Sequence, residues 1–347
     1  MPYELMKKKD LEASRRQIAM VLDTNKCLNC QTCTIACKTL WTAAAGKEYM
    51  YWNNVETRPG AGYPRDWDQM GGGWLPDGKQ LHLGRVPDLA ADYGEAWELN
   101  TEDVYFSGKL GRERLKPKRD PRWGPNWDED QGAGEYPNAY FFYLQRICNH
   151  CTHPACVEAC PRNAIYKREE DGIVVQDQSR CNGYQFCLEA CPYKKIYFNP
   201  ATSKSEKCIF CYPRLEQGIP NACARQCPGR LRFVGFRDDP DGPIYKLVDK
   251  FKAAIPLHPE YGTLPNVFYV PPIGPPKYDG QGRLLDPVQD PRIPIEYLRG
   301  LFGPAVDEAL NVLRAEMDKK RRGQPSELME ILIAREWKNN FKLGTKT

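Results

Sequence analysis

No run of about 18 apolar residues occurs anywhere in this chain of 347 residues, so no segment reads as a membrane-crossing helix. The opening stretch MPYELMKKKDLEASRRQ is charged and lacks the apolar centre of a secretory signal, so the chain is expected to carry no export signal of its own. There is no concentrated basic block either. Lys plus Arg exceeds Asp plus Glu by 49 − 45 = 4, spread along the chain, and a nucleic-acid partner is not indicated. A P-loop, a G-x-G-x-x-G between strand and helix, and a nucleophile–base motif are all missing, so nothing suggests independent catalysis. Histidine is scarce, with 4 residues, whereas cysteine is abundant, with 15. An odd count in a chain long enough to bury a core argues against a disulfide framework and for metal binding.

Every cysteine falls into one of four groups. The first is Cys27, Cys30, Cys33 and Cys37, spaced C-x2-C-x2-C-x3-C; the second is Cys148, Cys151, Cys156 and Cys160. The third has only Cys181, Cys187 and Cys191, with Tyr184 where a fourth cysteine would stand. The last is Cys208, Cys211, Cys223 and Cys227. Such runs are the bacterial ferredoxin signature, in which three thiolates hold one iron–sulfur cluster and the fourth reaches across to its companion. Pro161, Pro192 and Pro228 follow the last cysteine of three groups, and Lys38 follows the first. Zinc is the competing reading, but zinc sites take two separated knuckles, whereas three or four thiolates crowd into each run here. His150 and His153 read as loop residues rather than ligands, and His82 and His258 have no motif around them.

The stretches AMVLDTNKC and GIVVQDQSRC share an apolar β-favouring run, an Asp four residues before the cysteine and a basic residue just before it. CPRNAIY and CPYKKIY repeat after the clusters. These read as two halves of one strand–loop–turn–strand unit. The second and third groups are close in the chain and form one module, which leaves the first and last to pair with each other. The crossing rule then assigns Cys27, Cys30, Cys33 and Cys227 to one 4Fe-4S cluster, and Cys37, Cys208, Cys211 and Cys223 to a second. Cys148, Cys151, Cys156 and Cys191 hold a third. Cys160, Cys181 and Cys187 remain, one thiolate short at Tyr184. A phenol is a poor thiolate substitute, with a hard oxygen and a pKa of about 10. A 3Fe-4S cluster is expected there, the alternative being a 4Fe-4S cluster completed by water or hydroxide.

The fold class is therefore α+β: two ferredoxin-like two-cluster modules with a long irregular insertion and a helical C-terminal extension. Residues 1–40 and 200–240 are the halves of one module, and 140–199 make the other. Residues 41–139, rich in Gly and Pro and holding seven of the eight tryptophans, are the insertion. Its rings suit a protein interface, or serve only to cover the clusters. In 241–347, GPIYKLVDKFKAAIP reads as a helix and NVFYVPPIGPP as an extended arm. Residues 304–319 read as an amphipathic helix burying Val306, Leu310, Leu313 and Met317, and a last helix opens on a Ser cap. This tail docks on a larger subunit or packs back on its own chain. Lys194, Lys195, Arg225, Arg230 and Arg232 lie near the cysteines and read mostly as solvated charges.

The segments EKCIFCYPRLEQG and CPYKKIYFNP resemble nitrate reductase β subunits, in which a tryptophan occupies the vacant cysteine position beside a 3Fe-4S cluster; Tyr184 departs from this but keeps an aromatic ring there. YMYWNNVETRPGAGYP, GPNWDEDQGAGEYPN and LHPEYGTLPNVFYVPP are closer to the shorter β subunits of the perchlorate reductase and ethylbenzene dehydrogenase branch. The whole chain thus resembles the iron–sulfur β subunits of type II dimethyl sulfoxide reductase-family molybdoenzymes. That resemblance implies an α subunit holding molybdopterin guanine dinucleotide, often a γ subunit with haem b, and a β subunit relaying single electrons between them. It also implies export of the folded β subunit together with α, hence a periplasmic rather than cytoplasmic location. The complex would be an oxyanion reductase or a hydrocarbon-hydroxylating dehydrogenase; the chemistry belongs to the cofactor in another chain. A free-standing polyferredoxin and a zinc-stabilised scaffold are the competing functions.

Overall fold

A computed structural model describes residues 16–94, 100–108, 114–116 and 131–343. Most of the charged N-terminal stretch, and Trp97, Trp123 and Trp127 of the insertion, lie outside the described residues.

The strands, in chain order, are β1 (Ile18–Asp23), β2 (Asn53–Arg58), β3 (Phe142–Ile147), β4 (Ile165–Lys167), β5 (Val174–Gln176) and β6 (Ile196–Asn199). They continue with β7 (Lys204–Lys207), β8 (Arg232–Phe236), β9 (Ile255–Pro256), β10 (Val267–Val270) and β11 (Phe341–Lys342). One five-stranded sheet has the order β11-β8-β1-β10-β9. Strand β1 sits at its centre, antiparallel to β8 with Met20 opposite Val234 and parallel to β10 with Met20 opposite Val267. Because successive side chains alternate across a sheet, Ile18, Met20 and Leu22 meet one core. Ala19 and Val21 meet the other. Both faces are covered, so β1 is buried throughout, consistent with its unbroken apolar run.

The C-terminal residues supply much of this layer. NVFYVPPIGPP is not a free arm: its Val267–Val270 portion is a fully buried strand beside β1. The helix expected over 242–256 is shorter than its apolar pattern suggested, with one turn at Pro243–Tyr245 followed by a wide turn at Lys246–Lys250. The amphipathic helix runs Ala305–Arg321, burying Val306, Leu310 and Leu313, with Met317 half-buried. The last helix, Glu327–Ile333, opens on Ser326, whose side chain accepts from the Met329 N–H. Leu328 and Leu332 pack against the sheet, and β11 adds an edge strand to β8, so the tail packs back on its own chain.

The first strand within residues 41–139 is β2, which pairs antiparallel with β3 from Asn53 opposite Ile147 to Arg58 opposite Phe142. Every residue of NNVETR is buried. So polar a strand tolerates burial because its groups are paired: Glu56 accepts from Arg58, Arg146 and Trp67. Trp52, Trp67 and Trp74 are buried, so the described tryptophans of the insertion mostly cover the interior. Tyr105, Phe106, Tyr136 and Phe141 stay exposed. The remaining strands form two hairpins, β4–β5 and β6–β7, with β4 and β6 starting at the Ile of the repeated CPRNAIY and CPYKKIY.

Candidate metal centre

Four sets of cysteines converge, each drawn from two of the cysteine groups. At the first site, Cys27, Cys30, Cys33 and Cys227 line one cavity. At the second, Cys37, Cys208, Cys211 and Cys223 line another. The third gathers Cys148, Cys151, Cys156 and Cys191 near enough to repel one another's ionisation. At the fourth, Cys160, Cys181, Cys187 and Tyr184 line a further cavity. The sites form a file. Cys33 of the first lies near Cys223 of the second, Cys208 of the second near Cys148 of the third, and Cys191 of the third near Cys187 of the fourth.

The arrangement suits a cage rather than a single ion. Thiolates around one zinc would stand about 3.8 Å apart, from tetrahedral Zn–S bonds of about 2.3 Å. Among the described residues no three His, Cys, Asp or Glu side chains come together closely enough to hold one ion. Burial pushes the Cys27 thiol up to about 11 and the Cys151, Cys187 and Cys223 thiols up to about 12. These groups would ionise readily only beside a strong positive charge, which iron held there would supply.

The protein interior carries the opposite charge. Lys167, Lys194, Lys195, Lys207 and Arg232 are all buried, and none has a carboxylate within ion-pair distance among the described residues. Each faces cysteines: Lys167 lies near Cys151, Lys194 near Cys191, and Lys195 near Cys37 and Cys208. Lys207 lies near Cys156 and Cys208, and Arg232 near Cys33, Cys223, Cys227 and Cys27. An unpaired buried cation is costly, so five of them around cysteine-lined cavities call for anionic ligands, as thiolate-bound clusters are. Sequence reading took Lys194, Lys195 and Arg232 for solvated charges; they are buried, and only Arg225 and Arg230 are exposed. Lys195 shows the strain of burial, which together with Arg146 pushes it down to about 7. Its ammonium donates to the Tyr51 carbonyl at 3.0 Å, Asn54 Oδ1 at 2.6 Å and Tyr197 Oη at 3.1 Å.

The cysteine loops share one backbone feature. The residue before the second cysteine of the first, second and last groups is left-handed: Asn29 (φ 51°), His150 (φ 43°) and Phe210 (φ 54°). Gly183 (φ 72°) holds the same place before Tyr184. Tyr184 therefore sits on a loop with the ligand turn intact, lining the cavity while 56% exposed. Backbone N–H groups point at the sulfurs, from Phe210 to Cys208 Sγ at 3.3 Å and from Ala164 to Cys160 Sγ at 3.3 Å. The Trp41 indole N–H donates to Cys211 Sγ at 3.2 Å. Lys38 replaces the usual proline because the helix Thr32–Trp41 runs on through Cys37, where a proline would break it. His150 is buried and uses Nδ1 to accept from the Val174 N–H at 3.1 Å, and burial and Lys207 hold it neutral. His153 stacks on Trp74 with centroids 3.9 Å apart.

The family of 4Fe-4S dicluster domains matches residues 139–237, which span the second, third and fourth cysteine groups. The chain is 59% identical to the selenate reductase subunit beta of Thauera selenatis, over 92% of this chain and 97% of that one. It is 58% identical to the chlorate reductase subunit beta of Ideonella dechloratans, with the same coverage of both chains. It is also 56% identical to the dimethylsulfide dehydrogenase subunit beta of Rhodovulum sulfidophilum, over 95% and 99%. Full-length likeness at this level, on top of the cysteine-lined file, places the chain in the family of iron–sulfur electron-transfer β subunits of type II dimethyl sulfoxide reductase-family molybdoenzymes.

Proposed function

We propose that the chain relays single electrons through four centres in a file, three 4Fe-4S clusters at the first, second and third sites and one 3Fe-4S cluster at the fourth. The observation that carries this is that Cys33 and Cys223, Cys208 and Cys148, and Cys191 and Cys187 are near enough to feel one another's charge, so each cysteine set neighbours the next. Bound there, iron–sulfur clusters supply one-electron redox chemistry over a wide range of potentials. The protein's own part is to fix the sulfurs, keep water from the inner sites and balance negative charge with the five buried cations. Tyr184 leaves the fourth site with three thiolates, and its exposed ring closes that end of the file. Cys30 and Leu28 are exposed at the other end. Electrons enter at one of these ends and leave at the other.

In this reading the two-module division stands with residues 41–139 as an insertion that braces both modules. The partner at one end is an α subunit carrying molybdopterin guanine dinucleotide, and at the other a haem b γ subunit or another carrier. The names of the relatives, two oxyanion reductases and a dehydrogenase, support a complex that reduces an oxyanion or dehydrogenates and hydroxylates an organic substrate. A periplasmic location follows if the folded chain is exported with α. No helix among the described residues is long and apolar enough to cross a membrane.

Anaerobic purification from the native host tests this. A larger molybdenum-containing chain should co-elute, and adding the complex's substrate should change the redox state of the iron–sulfur signals within the turnover time. Elution as a lone monomer whose signals respond to no molybdenum subunit would favour a free polyferredoxin and sink the reading.

A further inference from the structure

Arg232 opens β8, where its backbone is held opposite Leu22 in the central sheet. Its guanidinium is fully buried between the first two sites. Nη2 donates to Cys33 Sγ at 3.2 Å and Nη1 approaches Met20 Sδ at 3.8 Å, while Nε has no partner among the described residues. No carboxylate lies within ion-pair distance of it among those residues, unlike Arg58 and Arg146, which share Glu56. The charge bears on Cys33, Cys223, Cys227 and Cys27, cysteines of both the first and the second site.

We propose that Arg232 is a positioning residue that tunes two centres at once, holding the reduction potentials of the first and second clusters above what their ligands alone would give. The inference rests on the proposal that these cysteines hold clusters. A fixed cation stabilises the reduced state, which is one charge more negative, and the guanidinium keeps its proton at any working pH. The hydrogen bond acts in the same direction but reaches only Cys33, so the first centre feels bond and charge and the second feels charge alone. A merely space-filling arginine would have no such pattern.

The test is an electron paramagnetic resonance redox titration of the anaerobically isolated protein, preceded by iron analysis. Wild-type protein without iron overturns the cluster proposal and this inference with it. In Arg232→Met the first and second centres should each lose about tenfold or more in reduced-to-oxidised ratio at fixed ambient potential, equal to 59 mV for one electron. The third and fourth should not move. Unchanged potentials, or equal falls at all four centres, overturn the inference. If Arg232→Met does not retain the first two clusters, Arg232→Lys decides, since it keeps the charge and loses the planar fork. A second-centre ratio within about threefold of wild type supports the inference, and a tenfold fall there overturns it.

Discussion

Replacing Glu56 by Gln removes one charge from the middle of the molecule and keeps the shape. Glu56 Oε1 accepts from Trp67 Nε1 at 2.9 Å and from Arg58 Nε and Nη2 at 3.0 and 2.8 Å. Oε2 accepts from Arg146 Nη1 at 3.2 Å, Asn54 Nδ2 at 3.2 Å and the Tyr63 N–H at 3.3 Å. Both oxygens face donors only, so a glutamine must turn its NH2 group toward N–H groups whichever way it sits. Burial alone would push the carboxyl up, but Arg146, Arg58 and the Trp67 bond outweigh it and hold the pKa at about 2 against an ordinary 4.5. That depression corresponds to about 3 kcal/mol of folding stability, fully present above the unfolded value and lost as pH falls through 4.5 toward 2. Breaking a buried ion pair costs a similar amount, about 3–5 kcal/mol.

Guanidinium unfolding of the two holoproteins, followed by far-ultraviolet circular dichroism, should place Glu56→Gln about 3 kcal/mol below wild type. The gap should stay constant from about pH 8 to about pH 6, where the carboxyl is ionised in both states. Arg146 also donates to the Tyr193 carbonyl, two residues after Cys191, and lies two residues before Cys148. The third centre should therefore show a broadened resonance signal in the variant. A loss below about 1 kcal/mol, or a gap that widens between these pH values, refutes the reasoning.

On the proposed assignment, Tyr184→Cys supplies a fourth thiolate and should convert the fourth centre from 3Fe-4S toward 4Fe-4S, abolishing the oxidised 3Fe-4S resonance signal; Tyr184→Phe should leave that signal in place, since the proposal gives the phenol no ligand role. Trp41→Phe deletes the bond to Cys211 Sγ and should lower the second centre's potential by roughly 40 mV, the equivalent of about 1 kcal/mol, read by redox titration. Ser326→Ala removes the cap on the last helix and its bond to Glu316, and should cost about 1 kcal/mol in the same unfolding assay without moving any cluster potential.

Cysteine spacing was the most legible part of the sequence, because the reach of a short loop is fixed by covalent geometry. The sets derived from the crossing rule are the sets that line the first, second and fourth cavities. The presence of β1, β4, β5 and β6 could be read from apolar runs and from the repeat around CPRNAIY and CPYKKIY. Strand β2 could not, since NNVETR is polar and its burial depends on Arg146, some 90 residues on. Strand β10 was hidden by the prolines after it, which suggested an arm where the chain instead completes a sheet and only then turns away. The buried cations were missed for a related reason. Lys194, Lys195 and Arg232 carry no local signal that separates them from surface charges, and their burial follows from a three-dimensional neighbourhood of cysteines with, among the described residues, no carboxylate at ion-pair distance.

Iron and acid-labile sulfide, measured per polypeptide on anaerobically isolated protein, test the file of centres most directly. The account predicts about fifteen irons, from three clusters of four and one of three, with no stoichiometric zinc. A colourless protein with zinc bound and only a few irons would contradict it.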